Sequence, residues 1–86
     1  MQIKAELISR EIAGEYFLVP VGKSVLDTNG LFALNELGFF LWELLPAVET
    51  EDDLVKKVLE EYEVEEDVAR RDIRRFLDKL RGLGVL

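Results

Sequence analysis

The 86-residue sequence predicts a small α+β domain in which a three-stranded antiparallel sheet is followed by three helices. Three observations carry that prediction. Short runs of strand-forming residues, parted by turn residues, fill the chain up to Asn35. At Asn35 the apolar spacing changes from strand-like to helical. Two further amphipathic stretches follow, each with its own start signal.

The first strand is read over Ala5 to Ala13, "AELISREIA", where Leu7, Ser9 and Glu11 alternate with Ile8, Arg10 and Ile12, the pattern of a strand with one wet face. Gly14 punctuates. "EYFLVPV", Glu15 to Val21, is a continuous apolar run long enough for a strand and too short for a helix. Pro20 marks its end or an edge position, because proline has no N–H to give a ladder. "DTNG", Asp27 to Gly30, is a turn signal, and "LFALN" from Leu31 forms the third strand of a meander.

Asn35 is an N-cap. From there Leu37, Phe40, Leu41, Leu44 and Leu45 recur at helical spacing until Pro46 stops the helix. Phe39 and Trp42 lie off that stripe, so the helix is apolar nearly all round and belongs at the centre, contacted from more than one side. The second helix opens at Thr50 with Asp53 three residues on, a capping-box start, and its buried stripe is Leu54, Val55, Val58, Leu59 and Tyr62. The third, from about Glu65 to Arg81, buries Ala69, Ile73, Phe76, Leu77 and Leu80 and ends at Gly82 or Gly84. With no repeat and no long linker, residues 1–86 read as one domain, with the grammar of a winged helix-turn-helix-like fold.

Composition narrows the chemistry. A chain of this size removes only about 60–65% of its unfolded surface from water, so its core is modest. The sequence has no cysteine and no histidine, which removes disulfides, thiolate nucleophiles and the commonest general base and metal ligand. The clusters "EDD" (Glu51 to Asp53) and "EVEED" (Glu63 to Asp67) lack the alternating acids and glycine of a calcium loop, and helix-start capping accounts for them. No glycine-rich phosphate loop is present. No catalytic residue, metal site or cofactor is expected. The absence of any apolar run of about 18 residues, with charges scattered through the first fourteen, predicts a cytoplasmic chain without a membrane partner.

Charge is unevenly distributed. Residues 1–69 hold 5 basic and 16 acidic side chains, and residues 70–86 hold 6 basic and 2 acidic. At about 100° per residue, Arg70, Arg74 and Arg81 fall together on one flank of the third helix's core stripe, whereas Arg71 and Arg75 project elsewhere, mostly outward. One reading makes that flank a solvated helix face, with i,i+4 partners such as Arg74 and Asp78. The other makes it a groove wall for an acidic or polar ligand. The third strand sharpens the second reading: "LFAL" has none of the lysine, proline or bulge that blunts an edge strand, which is what strand addition requires.

The segments "REIAGEYFLVPVG", "NGLFALNELGFFLWELL", "TEDDLVKKVLEEYEV" and "ARRDIRRFLDKLRGLGVL", with the spacing of Asn35, Gly38 and Trp42, resemble the PqqD family from about Ile3 to Leu86. That resemblance implies a non-catalytic recognition element for ribosomally made, modified peptides. It implies a precursor leader peptide that adds as a strand beside the third strand, and a radical S-adenosylmethionine enzyme to which the peptide is delivered. Carried over residue by residue, Leu31, Phe32, Ala33 and Leu34 form the receiving edge, and Arg70, Arg74, Leu77 and Arg81 form the opposite wall. Asn35, Gly38 and Trp42 are read as architectural: a cap, a close-packing site and a core anchor. The exposed edge also allows two copies to pair as a homodimer. The alternative is a winged-helix DNA-binding regulatory domain, which the 16 acidic side chains before residue 70 oppose by repelling phosphate, so nucleic acid is not an expected partner.

Overall fold

The computed structural model describes residues 1–22 and 32–86. Strands β1 (Leu7–Ile12), β2 (Glu15–Pro20) and β3 (Phe32–Leu34) precede helices α1 (Glu36–Leu44), α2 (Glu51–Glu61) and α3 (Glu66–Gly82), the sheet-then-helices order that the sequence predicts. The "DTNG" turn and Leu31 lie outside the described residues.

The sheet is antiparallel in the order β1-β2-β3. Ala13 and Gly14 join β1 to β2 in a two-residue turn with φ of 52° and 82°, the signature of a type I′ hairpin. That turn pairs Ile12 with Glu15 and carries the register through to Leu7 and Pro20. Pro20 therefore stands at the ladder's end, where its missing N–H costs least, and the Val21 N–H donates to the Glu6 carbonyl just beyond, at 2.9 Å. The register turns Leu7, Ser9, Tyr16 and Leu18 to the helices and leaves Ile8, Arg10 and Ile12 outward. The wet face of β1 is thus its isoleucine face, with Ile12 52% exposed, because hairpin register and the burial of Leu18 outweigh the hydrophobicity of β1 itself.

Helix α1 lies against all three strands. Asn35 caps it by accepting from the Gly38 N–H at 2.7 Å. Leu41 and Trp42 are buried, Phe39 stacks on Tyr16 with ring centres 4.5 Å apart, and Phe40 meets Tyr62 edge-on at 5.4 Å. Pro46 does not end the chain's winding at once. It sits in a single 3₁₀ turn, Leu45–Ala47, early enough that its absent N–H breaks no bond. At α2 the capping box forms in both directions, Thr50 Oγ1 accepting from the Asp53 N–H and Asp53 Oδ2 accepting from the Thr50 N–H, each at 3.2 Å.

Gly84, not Gly82, closes α3. With φ of 78° it supplies the left-handed step of a Schellman motif, in which the Val85 N–H reaches the Leu80 carbonyl at 2.9 Å and the Gly84 N–H reaches that of Arg81 at 3.1 Å. The motif returns Val85 to the core, where its carbonyl accepts from the Lys4 N–H. The core joins Leu18, Leu41, Trp42 and Leu45 to Leu54, Val55 and Val58 of α2 and Ala69, Ile73, Leu77 and Leu80 of α3. Several residues of the expected stripes are not fully buried. Leu59 is 37% exposed, since α2 packs chiefly through Leu54, Val55 and Val58, and Leu37, Phe40, Leu44, Tyr62 and Phe76 are only half buried.

Ala13 adopts a left-handed conformation that asparagine tolerates and alanine resists, so Ala13→Asn raises stability by about 0.5–1 kcal/mol and the melting temperature by several degrees. A calorimetric scan checks this, and an unchanged or lower midpoint would show that the turn stores no strain. Trp42→Ala, at a site only 7% exposed, costs about 3–5 kcal/mol, which urea unfolding measures directly.

Candidate functional site

Hairpin geometry dictates which backbone groups the sheet leaves open. In a type I′ hairpin the residues flanking the turn, Ile12 and Glu15, exchange hydrogen bonds, so alternate residues of β2 address alternate neighbours. Glu15, Phe17 and Val19 turn their backbone groups toward β1, and Tyr16 and Leu18 turn theirs toward β3. In β3, Leu34 (opposite Tyr16) and Phe32 (opposite Leu18) are consequently tied to β2. Ala33, opposite Phe17, points its N–H and C=O away from the sheet. Among the described residues no strand pairs with that edge. Ala33 is also exposed, and its side chain lies on the sheet face away from the helices.

Beside the edge runs an open groove of about 340 Å³, between β3 and α3. Its floor is apolar, formed by Leu18, Leu37, Leu41 and Leu80. Phe32 and Leu34 border it on the strand side, and Asp72, Arg75, Phe76 and Lys79 of α3, with Leu83 just past its end, form the opposite wall. Gly38 lets these elements approach. A Cβ there would stand 3.4 Å from Leu34 Cδ2, 3.5 Å from Phe76 Cε1 and 3.1 Å from Asn35 Oδ1, so the position is packed tightly in the way a glycine permits. The volume lies at the low end of small-molecule sites, and the groove is partly open to solvent, which suits side chains from an extended segment.

The arginine flank expected to wall this groove faces the other way. Arg70 contacts Asp52 at 2.6 Å and Glu66 at 3.2 Å, and Arg74 forks onto Glu51 with bonds of 3.0 and 2.8 Å. Both arginines therefore bind the start of α2. Arg81 pairs with Asp78, and Leu77 is fully buried in the core on that same side of α3. Arg74 does not pair with Asp78, because Glu51 offers a planar two-pronged match. The wall toward β3 is the opposite flank, and Arg75, read from the sequence as outward, is one of its members. Of the expected edge, the structure brings Phe32, Ala33 and Leu34 to the groove, and Leu31 lies outside the described residues. Sequence reasoning missed Asp72, Arg75, Lys79 and Leu83. The acids at Glu51 and Asp52 were the available signal, since they attract the other flank's arginines to α2.

Among the described residues no group of histidine, cysteine or carboxylate side chains is placed to hold a metal ion, and no helix is long and apolar enough to cross a membrane.

The fold and the site together define a small α+β domain that carries an open sheet edge beside an apolar groove. The family model described as coenzyme PQQ synthesis protein D (PqqD) matches residues 21–86, and the chain belongs to that family. Among solved structures, TbiB1 in complex with the TbiA(beta) leader peptide is 29% identical with a TM-score of 0.77, the match covering 100% of this chain and 94% of that one. Lasso peptide synthetase B1 complexed with the leader peptide is 23% identical with a TM-score of 0.73, covering 98% and 93%, a likeness of fold. A comparison with curated proteins finds no match.

The α2 start supplies a pH prediction. Hydrogen bonding from Arg74 holds the Glu51 carboxyl below its usual range against an opposing effect of burial, and the backbone N–H groups of Thr50 and Glu49 lower that of Asp53. A carboxyl whose folded value is depressed stabilises the fold above its unfolded value and loses that contribution as pH falls through the folded one. The melting temperature therefore drops as pH falls from about 5 to about 3, and it drops less in Glu51→Gln and Asp53→Asn. Melting curves across that range decide it, and equal acid sensitivity of parent and variants would contradict the assignment.

Proposed function

We propose that this protein is a non-catalytic recognition domain, residues 1–86, that captures the leader segment of a ribosomally made precursor peptide as a fourth strand beside β3. The observation that carries the proposal is the pairing of an unmet backbone N–H and C=O at Ala33 with an apolar groove alongside. A strand docked there gains main-chain hydrogen bonds from Ala33, and its alternate side chains drop between Phe32 and Leu34 on one side and Phe76 on the other. The leader-peptide complexes formed by TbiB1 and lasso peptide synthetase B1 support this choice of ligand.

The domain works in the cytoplasm, where ribosomal peptides are made, and hands the captured precursor to a modifying enzyme of the radical S-adenosylmethionine class, the partner to which the family resemblance points. The domain contributes position and not chemistry, in keeping with a sequence that offers neither histidine nor cysteine. The Ala33 edge also lets two copies pair as a homodimer when no peptide is bound. A DNA-binding role finds no support: Arg70, Arg71, Arg74 and Arg81 are each within 4.0 Å of a carboxylate, which leaves α3 poor in free charge for phosphate.

Ala33→Pro removes the N–H that a ligand strand needs and leaves the β2 ladder intact, so it abolishes leader binding with little change in melting temperature. Phe32→Pro breaks the bond to β2 and destabilises the fold. Isothermal titration of both variants with the leader peptide, paired with thermal melts, is the measurement. An Ala33→Pro variant that binds like the parent would refute capture at this edge.

A further inference from the structure

We propose that the groove selects its peptide by charge: the captured strand carries acidic side chains, two residues apart, that meet Arg75 and Lys79 above the apolar floor. The inference rests on the peptide-binding reading and adds to it the chemistry of the ligand.

Six basic side chains lie between residues 70 and 86, and the structure sorts them by location. Arg70, Arg71, Arg74 and Arg81 have carboxylate partners within 4.0 Å. Arg75 and Lys79, the two that line the groove, have no ion pair or side-chain hydrogen bond among the described residues. Elsewhere on this helix the fold neutralises its cations internally, and it leaves two unneutralised where a ligand strand would lie.

Their spacing matches a strand. Arg75 and Lys79 are four residues apart on α3, about 6 Å along its axis, and side chains two apart on one face of a strand are separated by about 6.6–6.8 Å. Two inward-facing residues of a strand docked at β3 therefore reach both. The guanidinium offers a fork for a carboxylate and the ammonium a point charge. Asp72, one turn earlier on the same wall and 3.6 Å from Arg71, disfavours an acid at that end of the groove. The acidic positions thus align with the second half of α3, where the wall continues to Leu83. The described β3 residues are uncharged, so a second copy docking its own β3 would leave both cations unmet, whereas an acidic peptide satisfies them.

Selection from a displayed library of random twelve-residue peptides tests this on the full chain, with parallel selections on Arg75→Glu/Lys79→Glu and on Arg71→Glu as control. The expected result for the parent is enrichment of peptides with acids two positions apart between apolar residues. The double reversal weakens those peptides by about tenfold at low salt and enriches lysine or arginine at the same positions, while Arg71→Glu leaves both unchanged. Peptides without acidic bias that bind parent and double reversal alike, yet are lost on Ala33→Pro, would overturn charge selection and leave strand capture standing. Failure to enrich any peptide on the parent would overturn the peptide-binding reading itself.

Discussion

A two-residue turn at Ala13 and Gly14 sets the register on which the rest of the structure depends. Because strand side chains alternate with a period of two, that register decides at one stroke that Leu18 enters the core and Ile12 does not. The same alternation in the backbone directs Tyr16 and Leu18 to β3, which ties down Phe32 and Leu34 and leaves Ala33 facing outward. A slip of one residue would bury the wrong face and present a different amide at the edge. The strained Ala13 is tolerated because the geometry it supports is required at Leu18 in the core and, across the sheet, at Ala33 on the edge.

The second constraint is the docking of α3, which has one buried stripe and two charged flanks. One flank binds α2, where Arg70 and Arg74 answer the acids that open that helix. The other overlooks β3 and completes the groove. Electrostatics thereby divide the work: carboxylates placed at α2 to suit its dipole also hold the arginines of α3, so the groove flank is left with Asp72, Phe76, Leu83 and the two unengaged cations Arg75 and Lys79. Gly38 sets how close strand and helix come at the groove's mouth.

Much of this was legible in the sequence because the signals are local. Asn35, Thr50 with Asp53, and Gly84 each mark a helix boundary through a side chain or backbone conformation acting within a few residues. Three strands and three helices, with β3 as an unblunted edge, were readable for the same reason. The groove wall was not, since a helical wheel identifies the two flanks of α3 without saying which one meets the sheet. That choice is made by the packing of α2 against α3, a contact between segments that periodicity treats one at a time. Phe76 shows the limit well: its spacing fits the core stripe, and its position beside Gly38 makes it half core and half groove. Leu77, one residue on, looked like groove wall and is buried on the far side.

The central claim is that the backbone of Ala33 is open and awaits a strand, and amide hydrogen exchange at single-residue resolution tests it most directly. In the free protein the account predicts slow exchange at Phe32 and Leu34, whose N–H groups are bonded to β2, and exchange at Ala33 close to that of an unstructured chain. Addition of a bound peptide should then slow Ala33 selectively. Protection of Ala33 equal to that of its neighbours in the free protein, or no change at Ala33 when peptide binds, would contradict the account.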